Sequence, residues 1–124
     1  MKRLGALILG VVLATSVMAQ ETEILDATNL EALRAKDGMD SIVEGQVMDI
    51  GTTKEGTMTF INIGLPKKQG FVAVAYQKDY PAFPDGFDKF RNQKVRVKGM
   101  IKLYRGETPQ IVVSAPDQIT IVPP

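Results

Sequence analysis

Hydrophobic and polar positions alternate most regularly between Lys94 and Tyr104. Val95, Val97, Ile101 and Leu103 fall on one side, and Lys94, Arg96, Lys98, Lys102 and Tyr104 on the other. A period of two predicts a half-buried β-strand. Tyr104-Arg105-Gly106-Glu107 then reads as a tight turn and Ile111-Val112-Val113 as the returning strand, so Lys94 to Ile121 forms one long, bent hairpin. Gly99 interrupts the apolar side, which suits a bend or bulge in a sheet that closes on itself.

The same pattern recurs earlier. Ile42 to Ile50 contains Val43-Glu44-Gly45-Gln46-Val47, which echoes Val97-Lys98-Gly99-Met100-Ile101. Two strands that both bend at glycine can wrap one barrel. Thr57 to Ile63 and Phe71 to Tyr76 predict two further strands, with a turn-rich connection before them (Gly51 to Gly56) and a basic loop between them (Gly64 to Gly70, GLPKKQG). Ahead of the strands, Thr28 or Asn29 can cap a short helix through Leu30, Leu33 and Arg34, which Asp37-Gly38 stops. Phe83, Phe87 and Phe90 are spaced four and three apart, predicting a short helix from Pro84 whose aromatic face plugs a barrel end. The order is helix, three strands, short helix, two strands. It predicts a mainly β chain, a five-stranded OB-fold Greek-key barrel with a helix between strands three and four.

Composition narrows what such a barrel can do. The chain has 124 residues, and its first nineteen read as a signal peptide. Lys2-Arg3 precede an uncharged apolar run from Leu4 to Val17, and Val17-Met18-Ala19 offers a cleavage site before Gln20. That run is shorter than the roughly 20 apolar residues a spanning helix needs. The expected organisation is a signal peptide at 1–19, an acidic lead-in with a short helix at 20–40, and the barrel at 41–122. There is no cysteine for a lipid anchor, so the product is expected to be soluble and exported, periplasmic or secreted, with no stable membrane anchor after cleavage. Histidine is absent as well. That removes most zinc sites, the usual triads and thiol catalysis, and no cofactor is expected.

Without Lys2 and Arg3 the chain carries 13 basic and 14 acidic side chains. The acids concentrate early, giving a net −4 over residues 20–40 and +3 over 41–124. A polyanionic partner is permitted but not demanded.

TFINIG, the proline-containing basic loop, FVAVAY, a Phe-Pro segment and KVRVKGMIKLYRGETPQIVVSAPDQI together resemble a family of small exported bacterial OB-fold proteins. They also resemble the tRNA-anticodon-binding-like OB domains that accompany secreted nucleases. The resemblance covers about residues 41 to 121 and implies a fold more than a chemistry. The GLPKKQG loop departs from it in having no aromatic residue.

OB barrels bind on the outer face of strands two and three, between the first-second and fourth-fifth loops. With Ile61 and Ile63 inward, Met58, Phe60 and Asn62 point outward. With Val72, Val74 and Tyr76 inward, Phe71 joins Phe60 as a two-ring stacking platform. Lys54, Lys67, Lys68, Tyr104 and Arg105 would edge it for a phosphate backbone. The opposite alternation buries both rings. The stripe Lys94, Arg96, Lys98 and Lys102 reads as a solvated strand side that discourages edge pairing. Asp49, Glu55, Asp79, Asp85 and Glu107 form no adjacent acid–base pair, so catalysis is not expected. The expected partner is single-stranded nucleic acid or another polyanion. The competing expectation is a protein-interaction or envelope-stress module with no nucleic-acid ligand.

Overall fold

The computed structural model describes residues 23–124. The predicted signal peptide and its cleavage site lie outside the described residues. Eight strands and one short α-helix follow in order: β1 (Ile24–Asp26), α1 (Leu30–Arg34), β2 (Asp40–Thr52), β3 (Met58–Ile63), β4 (Phe71–Tyr76), β5 (Lys94–Met100), β6 (Lys102–Tyr104), β7 (Thr108–Val112) and β8 (Ile119–Ile121). Asn29 starts α1, its side chain accepting from the Ala32 amide.

β2, β3 and β4 form an antiparallel meander. β5 returns to pair with the first half of β2, and β7 lies parallel to β4. This is Greek-key wiring of the OB type. The path of paired strands runs β6-β7-β4-β3-β2-β5-β8, and β5 continues into β6 across the single residue Ile101. One stretch of chain therefore serves both ends of the sheet, pairing first with β2 and then with β7.

Closure depends on two small features. Gly99 has φ +154, and a Cβ there would come within 2.6 Å of Ile111 Cγ2. Only glycine lets β5 pass this close to β7. Beside it the Gln118 amide takes the place of ladder bonds. Its Nε2 donates to the Lys98 carbonyl on β5 and the Val112 carbonyl on β7, both at 3.0 Å. Its Oε1 accepts from the Ser114 and Ala115 amides.

The five-strand expectation is corrected to eight. The long strand is split at Ile101, and short edge strands are added at each end. β1 takes the edge of β2 that β3 leaves free, parallel to it, with Leu25 against Val43. Ala27 sits in a socket between two glycines. A Cβ on Gly45 would lie 2.6 Å from Ala27 Cβ, and one on Gly64 would lie 3.2 Å from the Ala27 backbone. Gly45 thus serves docking of the lead-in.

The helix expected between strands three and four is also corrected. Two 3₁₀ turns occupy Gln77–Ala82 and Asp88–Phe90. Pro81, Pro84 and Gly86 (φ +72) interrupt any longer helix. The aromatic cluster forms nonetheless: Phe83 and Phe90 are buried and the Phe83 and Phe87 rings lie 4.8 Å apart.

Candidate functional site

A bulge at Met48 positions the site. The β2–β3 register jumps between Val47 and Asp49, so the inward side passes from Val43 and Val47 to Ile50. Beyond the bulge, Asp49 and Gly51 face outward.

Cross-strand partners share a face, so the outer surface can be read in rows. Asp49, Asn62, Val72, Gln110 and Lys102 form one row across β2, β3, β4, β7 and β6. Gly51, Phe60, Val74 and Val112 form the next, and Met58 and Tyr76 follow. Val72 and Val74 are fully buried although they stand outside the core cluster.

At the β2 side this surface opens into a cleft of about 400 Å³ lined by Asp49, Gly51, Thr52, Thr53, Phe60, Asn62, Lys67 and Lys68. Gly51 lies directly opposite Phe60, and a Cβ there would meet nothing within 4 Å. The space beside the ring exists because glycine fills none of it.

The basic loop closes the cleft's other side in a fixed conformation. Lys67 and Lys68 both adopt left-handed backbone, at φ 54 and 61, which a residue with a Cβ rarely holds. Acceptors from the sheet pin them there. The Lys67 amide donates to Asp49 Oδ2 at 3.0 Å, and the Lys68 amide donates to Asn62 Oδ1 at 3.0 Å. Asn62 Nδ2 in turn donates to Asp49 Oδ1. Asn62 is only 3% exposed, and both polar atoms of its side chain are bonded. The turn carries the Lys68 ammonium over Phe60, 3.8 Å from the ring centroid.

Of the residues expected to bind, Phe60, Asn62, Lys67 and Lys68 come together in this cleft. Phe71 does not. It opposes Ile63, and inward Ile63 requires inward Phe71, which is fully buried. The two-ring platform of Phe60 and Phe71 is therefore withdrawn, and Tyr76, expected inward, faces outward at 36% exposure. Lys54 is exposed on the β2–β3 turn and does not line the cleft. Tyr104 and Arg105 cap the β6–β7 turn, separated from β3 by β4 and β7. There the Arg105 guanidinium stacks 5.2 Å from the Tyr104 ring centroid. Two residues flanking the turn are tied to α1 and the segment after it: Arg34 Nε donates to the Glu107 carbonyl at 2.8 Å and the Leu103 amide to Asp37 Oδ1.

Sequence reasoning weighed Asp49 only as an acid–base candidate and took Gly51 only as the start of the first-second loop that borders the face. Asp49 is the one charged residue in the second half of a strand whose other two, Asp40 and Glu44, lie before the bulge, and that was a usable signal. Nothing marked Gly51 as a gap beside a ring.

The basic stripe on β5 is partly neutralised. Glu44 receives Arg96 at 2.7 Å and Lys94 at 3.2 Å. The Arg96 hydrogen bond, then that of Lys94, holds the Glu44 carboxyl below its ordinary range. Thr28 does the same for Asp26 through its amide and hydroxyl. Among the described residues, no three carboxylates cluster as a metal site would need, and no helix is long and apolar enough to cross a membrane.

No protein-family model matches the sequence, and no curated protein does. Solved structures do resemble it. A putative aspartyl-tRNA synthetase from Leishmania major Friedlin superposes with a TM-score of 0.54 at 12% identity, over 82% of this chain and 21% of that one. The chain thus corresponds to about a fifth of that enzyme's length. OBody AM1L10, bound to hen egg-white lysozyme, matches at TM-score 0.49 and 15% identity, covering 73% of this chain and 85% of its own. The likeness to the synthetase is one of fold, and with the strand wiring it gives this chain an OB-like β architecture.

Proposed function

We propose that the protein is an exported, non-catalytic binding domain whose outer β2–β3–β4 face takes single-stranded nucleic acid or another polyanion. The observation that carries this reading is the meeting of an outward ring, Phe60, and two backbone-pinned lysines, Lys67 and Lys68, in one cleft. A ring offers a face to any base, and lysines offer charge to any phosphate, so binding is weak and tolerant of sequence. The OB-like neighbours, one a tRNA synthetase, support a binding role of this kind.

Fluorescence anisotropy with a labelled single-stranded oligonucleotide at low salt tests it. Phe60→Ala is expected to weaken binding by at least about fivefold, the low end for loss of one stacking contact. Gly51→Leu, which fills open space, is expected to abolish binding while leaving the fold intact. No binding by the unmodified protein, or indifference to both substitutions, ends the proposal.

A second reading has its own observation. Tyr76 and Val112, at 36% and 41% exposed, continue the outer face from Phe60 as an uncharged apolar strip with Met58. Such a strip suits a protein partner, and the near-neutral charge of the mature chain agrees with it. Substitutions at Tyr76 and Val112 that abolish capture of a specific envelope protein, with no oligonucleotide bound, would favour this reading.

A further inference from the structure

We infer that the cleft selects a ligand carrying a planar ring beside an anionic group, a nucleotide unit, in preference to a bare polyanion, and that Lys68 enforces the choice. The inference rests on the cleft's being the binding site.

In the free protein the face of Phe60 is already occupied. Lys68 Nζ lies 3.8 Å from the ring centroid. It starts from a turn whose two left-handed lysines are unfavourable alone and persist because Asp49 and the buried Asn62 accept their amides. Backbone strain secured by Asp49 and the buried Asn62 is more than a surface loop needs. It fixes where the ammonium starts. The Lys68 stem remains free to swing, since only its backbone is pinned.

Two exchanges are then possible. A ligand with charge but no ring draws Lys68 off Phe60, forfeits the cation–π contact and leaves the ring bare. Its attraction to Lys67 and Lys68 is offset. A ligand with a base enters the gap that Gly51 leaves, covers Phe60 itself, and frees the ammonium to pair with the phosphate alongside. Both groups Lys68 could satisfy are then satisfied together. Only the second exchange leaves nothing uncovered.

Competition anisotropy at low salt separates these cases, using a labelled oligothymidylate displaced by unlabelled oligothymidylate, by an abasic phosphodiester strand of equal length, or by polyphosphate. Oligothymidylate is expected to compete at least about tenfold better than either ring-free strand. In parallel, the Lys68 side-chain methylene protons are expected to resonate upfield in the free protein, shielded by Phe60. They should return toward ordinary lysine values when oligothymidylate is added, and Lys68→Met should lower affinity for oligothymidylate more than for the abasic strand. Equal competition by all three, with binding still lost in Gly51→Leu, overturns ring selection and leaves the binding site standing. Absence of binding by any of them overturns both.

Discussion

Replacing Phe71 by alanine is expected to destabilise the fold by about 3–5 kcal/mol, the range for a fully buried aromatic. Phe60→Ala is expected to cost far less, because its ring is half-covered by Lys68 on the outside of the sheet. Urea denaturation of the two variants checks this, and similar losses at both would place Phe60 in the core. The sequence could not separate them because β4, FVAVAY, is apolar in both phases and its alternation carries no sign. The register did, through Ile63 opposite Phe71. At Glu44 the depressed carboxyl gives a pH consequence. Its folded pKa lies below the unfolded value, so its contribution is present above the unfolded pKa and lost as the pH falls through the folded one. Glu44→Gln should flatten the acid side of the stability profile, and an unchanged profile would show that the Arg96 and Lys94 bonds add nothing.

At the scale of elements, the glycines were legible as bends but not for what they approach. Gly45 and Gly99 read as a matched pair in VEGQV and VKGMI. One accommodates Ala27 of the lead-in, and the other lets β5 reach Ile111 of β7. Gly45→Ala should therefore cost about 1–3 kcal/mol by overpacking, although the residue stays in a strand. Gln118 gave no signal, since a single amide in SAPDQI is unremarkable until its partners are known. Its side chain bonds β5, β7 and the turn between β7 and β8, so Gln118→Ala should lower stability by about 1–3 kcal/mol through carbonyls left without a donor. Thermal unfolding of the two variants reports both losses. A Gln118→Ala protein as stable as the parent would mean that water replaces the clip without cost. The aromatic triplet shows the opposite case: its spacing gave the right cluster and the wrong helix, because two prolines and a glycine cut the segment into 3₁₀ turns.

For the whole molecule, the β-rich OB-like architecture was legible from strand order and the hairpin, while part of the candidate site was not. Phe60, Asn62, Lys67 and Lys68 were within reach of alternation and loop position. Asp49 and Gly51 depended on the bulge at Met48, which changes the facing of everything after it and has no period to betray it. The charge balance has a consequence at this scale too. Among the described residues, Lys67 and Lys68 are the only cations lining the cleft, and Lys94 and Arg96 are engaged with Glu44 on β5, so few counterions are released on binding. The logarithm of affinity should fall with the logarithm of salt with a slope of only about −1 to −2. The most direct measurement is an amide-resolved NMR titration of the protein with a short single-stranded oligonucleotide at low salt. Shifts should concentrate at Asp49 to Thr53, Phe60 to Asn62 and Lys67-Lys68, and leave β1, β8 and the 3₁₀ turns unmoved. An unperturbed spectrum, or shifts confined to the β5–β8 side, would contradict a binding face on β2, β3 and β4.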